Sequence, residues 1–174
     1  MKTQIVFFFL LVFSACSNQI TVRTDYDSKV NVAAFDSFAW LDKAGIEDRN
    51  NPLYYNELND KRIKEATLAA MIAKGYTLTD KEPRLKVHYH IVIEDKTQIR
   101  TDSYSPYWIN NQRDVYRYRE GTLIIDLMDS EKDALLWRGW AVAALSDTEQ
   151  MSEELIREAV TKVMAKLPQA EVKP

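Results

Sequence analysis

GTLIIDLMDSEKDALLWRGWAVAAL, residues 121–145, reads as two strands joined by a polar turn, and the rest of the chain is expected to organise around it. Leu123, Ile125 and Leu127, then Leu135, Trp137, Gly139, Ala141 and Ala143, form a mostly apolar face with the period of two that strands require. Taking Asp129 to Asp133 as the turn sets Leu127 opposite Leu135, Ile125 opposite Trp137 and Leu123 opposite Gly139. A slip of one residue would bury Arg138. Gly139, Ala141 and Ala143 leave room on this face for a helix to come close. The opposite face would carry Thr122, Ile124, Asp126 and Met128 beside Leu136, Arg138, Trp140 and Val142, which is too apolar for plain solvent surface. A loop or a partner is expected to cover it.

Upstream, Leu85 to Glu94 (LKVHYHIVIE) alternates as clearly. Leu85, Val87, Tyr89, Ile91 and Ile93 point one way, and Lys86, His88, His90 and Glu94 the other. Lys96 to Glu120 is a long polar and aromatic connection back to Gly121. Earlier still, Ile20 to Tyr26 suggests a first strand, and residues 30–41 should bury Phe35, Phe38 and Trp40 in or beside a second. From about Asn56 the pattern turns helical, with Ile63, Ala66, Thr67, Ala70 and Met71 on one face and Gly75 placed as a left-handed cap. A last helix is expected from about Thr148 to Leu167, capped by Asp147, buried through Met151, Leu155, Ile156, Ala159, Val160, Val163 and Leu167, and stopped by Pro168. This order predicts an α+β fold, an antiparallel β-sheet with two α-helices packed on one face as a two-layer sandwich.

With 174 residues, 46% of them hydrophobic, the chain suits one domain with a substantial core. Its formal net charge of -3 and the lack of a basic stripe argue against a nucleic-acid partner.

Residues 1–15 combine a basic start at Lys2, an apolar run from Ile5 to Phe13 and the small residues Ser14 and Ala15, the pattern of a secretory signal. The run is much shorter than the roughly 20 residues that cross a bilayer. The single Cys follows at once, and Phe13-Ser14-Ala15-Cys16 resembles a bacterial lipobox, with Phe13 where Leu is usual. An ordinary secretory signal would leave Cys16 as a lone reactive thiol, whereas lipidation accounts for it. Two or three acyl chains on Cys16 would hold the protein stably on a membrane. The expected organisation is a signal peptide over 1–15, the lipidated Cys and a short tether over 16–19, one domain over 20–168 and a tail over 169–174.

The whole mature chain resembles a known family. Cys16, Tyr26-Asp27 and Phe38-Ala-Trp40, then Arg62-Ile63, Lys74-Gly75-Tyr76 and Val87-His-Tyr-His90, occur in its order. So do Gly121-Thr through Asp126, Leu136-Trp-Arg-Gly-Trp140 and Leu167-Pro168. These resemble the bacterial lipoproteins grouped as domain of unknown function four-one-three-six. The resemblance implies an α+β lipoprotein of the Gram-negative envelope, and Ser17 is compatible with the periplasmic side of the outer membrane. It implies no reaction and carries over no catalytic residue.

His88 and His90 leave the same face of one strand, a spacing that suits two imidazoles on one metal, with Glu94 or Asp126 as a third ligand. Two polar residues pointing outward from a half-exposed strand would look the same. There is no G-x-S-x-G elbow, no phosphate-cradling loop and no predictable carboxylate pair, so an enzyme is not expected and no cofactor is implied. Tyr104, Tyr107, Trp108, Tyr116 and Tyr118 interleave with Arg100, Arg113, Arg117 and Arg119, a mixture suited to stacking on sugars or peptides and to gripping anionic groups. The same residues would equally extend two strands and cover the outer sheet face. The candidate ligand-binding set is therefore Trp108, Tyr116, Tyr118, Arg138 and Trp140, facing an envelope protein, a glycan or a lipid. Arg138 is expected near Trp140 or diagonally across from Asp126.

Overall fold

The computed structural model of the chain describes residues 19–41, 53–101, 113–145 and 151–171. In chain order they form strand β1 (Thr21–Tyr26), a single 3-10 turn (Val32–Ala34), β2 (Ser37–Trp40), helix α1 (Glu57–Ala73), β3 (Thr77–Leu78), β4 (Leu85–Thr101), β5 (Arg113–Asp129), β6 (Leu135–Leu145) and α2 (Glu153–Met164). The strands make one six-stranded sheet in the order β1-β6-β5-β4-β2-β3, and the helices pack on one of its faces. The fold is α+β, as expected, but the sheet is mixed. β2 runs parallel to both β3 and β4, because the chain crosses over through α1 between them and re-enters the sheet in the same direction. Among the described residues no helix is long and apolar enough to cross a membrane.

Local chemistry fixes the boundaries of α1. The Asn56 side chain accepts the Asn59 amide at 2.9 Å. At the far end Gly75, at φ +87°, lets the Gly75 and Tyr76 amides reach the Ile72 and Met71 carbonyls. Ile63, Thr67 and Met71 are buried as the helical spacing predicted. Helix α2 starts later than expected, at Glu153, because Ser152 accepts the Leu155 amide at 3.1 Å and is the cap. Asp147 and Thr148 lie outside the described residues. The α-helix also stops at Met164, before Leu167, and 3-10 contacts from Lys166 to Val163 and from Leu167 to Met164 finish it. Leu167 is still buried, and its carbonyl accepts a hydrogen bond from Lys74 Nζ at 2.6 Å. The start of the expected tail is tied down too, since the Ala170 amide donates to the Lys74 carbonyl and the Glu171 amide to that of Ala33.

The hairpin 121–145 buries the face that its sequence indicated, with Leu123, Ile125, Leu127, Trp137, Ala141 and Ala143 all in the core. Its register differs by two residues. Leu127 faces Trp137, Ile125 faces Gly139 and Leu123 faces Ala141. The reason is a bulge beside a tight turn. Leu127 pairs with Trp137 but Met128 pairs with Leu135, so Leu136 is an extra residue on β6. Beyond it the alternation inverts, leaving Leu136 buried at 2% exposure and Leu135 exposed at 43%, the reverse of the expected assignment. The Asp129 carboxylate stabilises the turn by accepting the Glu131 and Lys132 amides.

The segment from Lys96 to Glu120 extends two strands, one of the two forms its sequence allowed, but its described part does not cover the outer face. β4 and β5 continue in register beyond the sheet, from Asp95 opposite Arg119 to Thr101 opposite Arg113. β6 follows β5 only as far as Arg119. The described part of the segment is therefore a two-stranded arm continuing the sheet. It does not fold back over the outer face.

Candidate functional site

With α1 and α2 on one face, the other face of the sheet displays the outward residues of β4, β5, β6 and β1. The register places them in rows. One row runs His88, Asp126, Arg138, Asp25, and the next His90, Ile124, Trp140, Arg23. Ile124, Trp140 and Val142 are half-buried and Val92 is exposed, so an apolar strip lies to one side of the charged row.

Asp126 is the centre of that row. It interrupts the apolar run Leu123 to Met128, and it is 4% exposed. Arg138 stands directly opposite it on β6, not diagonally, and holds it with two hydrogen bonds, Nε to Oδ1 and Nη2 to Oδ2, both 2.7 Å. Burial by itself would raise the Asp126 carboxyl, but hydrogen bonds and charge from Arg138 and His90 outweigh it and hold the group below the usual carboxylate range. The same pairing raises Arg138, and Asp25 on β1 adds to the effect.

His88 and His90 sit side by side on β4, ring centroids 4.0 Å apart and edge to face at 82°. His90 Nε2 is 3.6 Å from Asp126 Oδ2. His88 shares this outward face but is only 8% exposed, so it is buried there and not solvated. Among the described residues His88, His90 and Asp126 each offer one ligand atom, all within 4.8 Å of one another. Glu94, the other third ligand suggested by the sequence, instead bonds Lys96 at 2.5 Å.

The aromatic candidates do not form one groove. Tyr116 and Tyr118 lie on the same sheet face as Trp140 and stack on each other at 6.0 Å. Tyr118 is six residues along β5 from Ile124, the partner of Trp140, or about 20 Å at the rise of a strand. Arg138 and Trp140 are therefore neighbours, the tyrosine pair sits apart on the arm, and Trp108 and Cys16 lie outside the described residues. Tyr104 and Tyr107 lie outside them too. Two polar contacts had no signal in the sequence, Tyr89 hydroxyl to Asp60 at 2.6 Å and Arg119 to the Tyr54 hydroxyl at 3.0 Å. Both join elements far apart in the chain. Burial and the Asp60 contact push the Tyr89 hydroxyl far above its ordinary value.

The described residues define an α+β domain in which helices cover one face of the sheet and no described segment packs over the other. The chain belongs to the family described as Domain of unknown function (DUF4136), whose pattern matches residues 22–169. No curated protein matches it. Among solved structures it is similar to a PDZ domain protein from Parabacteroides distasonis, at 17% identity and a TM-score of 0.57 over 89% of this chain and 37% of that one. It is also similar to PelC from Paraburkholderia phytofirmans, solved as a dodecamer, at 11% identity and a TM-score of 0.51 over 88% of this chain and 100% of that one. The chain thus spans little more than a third of the first protein and all of the second. At these identities the likeness is one of fold.

Proposed function

We propose that this protein is a non-enzymatic envelope lipoprotein, anchored through Cys16 at the periplasmic side of the outer membrane, whose open sheet face engages an envelope protein, glycan or lipid. The observation that carries the binding role is the uncovered outer face. Its half-buried Ile124, Trp140 and Val142 lie beside the Asp126–Arg138 pair, and no described segment packs over them. Apolar strips of this kind mark interaction surfaces, and a fixed Arg beside a Trp suits a ligand with both an apolar and an anionic part.

The anchor rests on the sequence from the apolar run to Cys16. β1 begins at Thr21, so a lipid on Cys16 would hold β1 and its Asp25–Arg138 row close to the bilayer. Replacing Cys16 with Ala removes the acylated sulfur. The Cys16→Ala protein should accumulate unprocessed, or soluble in the periplasm, while the wild type fractionates with the outer membrane. Processed Cys16→Ala protein found in the outer-membrane fraction would refute the anchor.

A further inference from the structure

The geometry points to a divalent transition-metal site, of the zinc or copper(II) class, formed by His88, His90 and Asp126 on the open face of the sheet. Alternation along β4 sends both imidazoles to one side, and the register of β4 with β5 brings the Asp126 carboxylate between them and Arg138. Three potential ligand atoms lie within 4.8 Å of one another before any metal draws them in. One edge is nearly at its final length. The His90 Nε2 to Asp126 Oδ2 separation of 3.6 Å compares with about 3.4 Å between ligands of a tetrahedral zinc with bonds of about 2.0–2.1 Å. The remaining closure falls to His90, whose side chain, 37% exposed, is the more accessible of the two imidazoles. Two nitrogens and one carboxylate oxygen suit zinc or copper, whereas magnesium and calcium call for oxygen ligands. The fourth position opens to solvent beside His90, available to water or to a donor group of a partner.

Arg138 competes for Asp126, since it occupies both carboxylate oxygens. Each oxygen has two lone pairs, so Oδ2 can accept Arg138 and still face a metal, with Arg138 fixing the carboxylate's orientation as outer-shell partners do. Asp25, opposite Arg138 on β1, offsets the guanidinium charge that would otherwise oppose a cation. Arg138 therefore orients the ligand and weakens the site. The inference shares the open face with the proposed binding role but not its partner, so a protein that takes up metal and captures no envelope component would leave it intact.

The test titrates zinc into the full chain in detergent, carrying Cys16→Ser so that its lone thiol cannot bind metal, and reads the cobalt(II) visible spectrum in parallel. One equivalent of zinc should bind, and cobalt should give the intense bands of a four-coordinate ion. His90→Gln, at a half-exposed position, should fold normally by circular dichroism and lose about 100-fold or more in affinity. Asp126→Asn, which removes the charged ligand oxygen, should also lose affinity, and zinc should raise its melting temperature less than the parent's. No zinc uptake by the folded chain would overturn the site, as would equal affinity in folded His90→Gln. Unchanged zinc affinity in folded Asp126→Asn would remove Asp126 from the ligand set and overturn the three-residue site.

Discussion

Gly139→Ala should destabilise the protein by about 3 kcal/mol, near the upper end for overpacking a closed core. A Cβ at this position would stand 2.4 Å from Trp137 Cη2 and 2.6 Å from Val163 Cγ1. Neither neighbour can yield easily. Trp137 is 2% exposed, and Val163 lies on the buried stripe of α2. Glycine is thus what lets α2 settle onto β6, the role its sequence indicated. Val163→Ala alone should cost about 2 kcal/mol through the cavity it opens. Combined with Gly139→Ala, the loss should fall short of the sum by about 1 kcal/mol, because the smaller side chain makes room for the new methyl. Urea unfolding of the four proteins measures this directly, and strict additivity would contradict the close contact between Gly139 and Val163.

Arg138→Met should cost about 3 kcal/mol at neutral pH, because it leaves the buried Asp126 carboxylate without its cation. The pH dependence carries a definite sign. In the wild type the folded-state value of Asp126 is depressed. Its stabilisation is complete above the unfolded value of about 4 and is lost as pH falls through the lower folded value. In Arg138→Met, burial acts without Arg138 to oppose it, and the folded value rises above the unfolded one. The variant's penalty is then largest at neutral pH and disappears as pH falls through that raised value. Denaturation midpoints of the two proteins should draw closer from pH 7 to about pH 4 and meet only below it, where the wild-type Asp126 is protonated as well. A difference that stays constant over this range would mean that Arg138 stabilises by packing and not by neutralising Asp126.

Where side-chain period and local capping decide the outcome, the sequence was readable. The β4 alternation, the span of α1, the Gly75 cap and the buried face of the 121–145 hairpin follow from spacing that burial enforces. The hairpin register escaped because Leu135, Leu136 and Trp137 are all apolar, so nothing in the pattern marks Leu136 as the bulged residue. The start of α2 escaped because Asp147 and Ser152 are both good caps by residue type, and only tertiary packing chooses between them. β3 spans two exposed residues and carries no periodic signal. That the arm extends two strands was one of the two readings its residues allowed, and nothing favoured it, because its strands are little buried, with Ile99 at 60% and Val115 at 56% exposure.

The site was half visible. His88, His90, Asp126 and Arg138 could be named from the alternation, and Asp126 is the one acid within an apolar strand. That Arg138 faces it squarely depends on the bulge, and that Asp25 extends the row depends on β1 joining the edge of β6. Strand order across a sheet is a long-range property that no local window contains.

The proposed binding role rests on a sheet that helices cover on one side and that no described segment covers on the other. Single thiols test it in the wild-type background, where a lipidated Cys16 leaves any introduced cysteine as the only free one. Val142→Cys lies on the outer face, and Ala141→Cys, 3% exposed at present, is its buried control. In purified protein Val142→Cys should be alkylated by a small maleimide many times faster than Ala141→Cys. In intact cells the Val142→Cys rate should fall many-fold, as a bound envelope component shields the face. Labelling of Val142→Cys as fast in cells as in solution, or as slow as Ala141→Cys in the purified protein, would contradict an open face that serves as a binding surface.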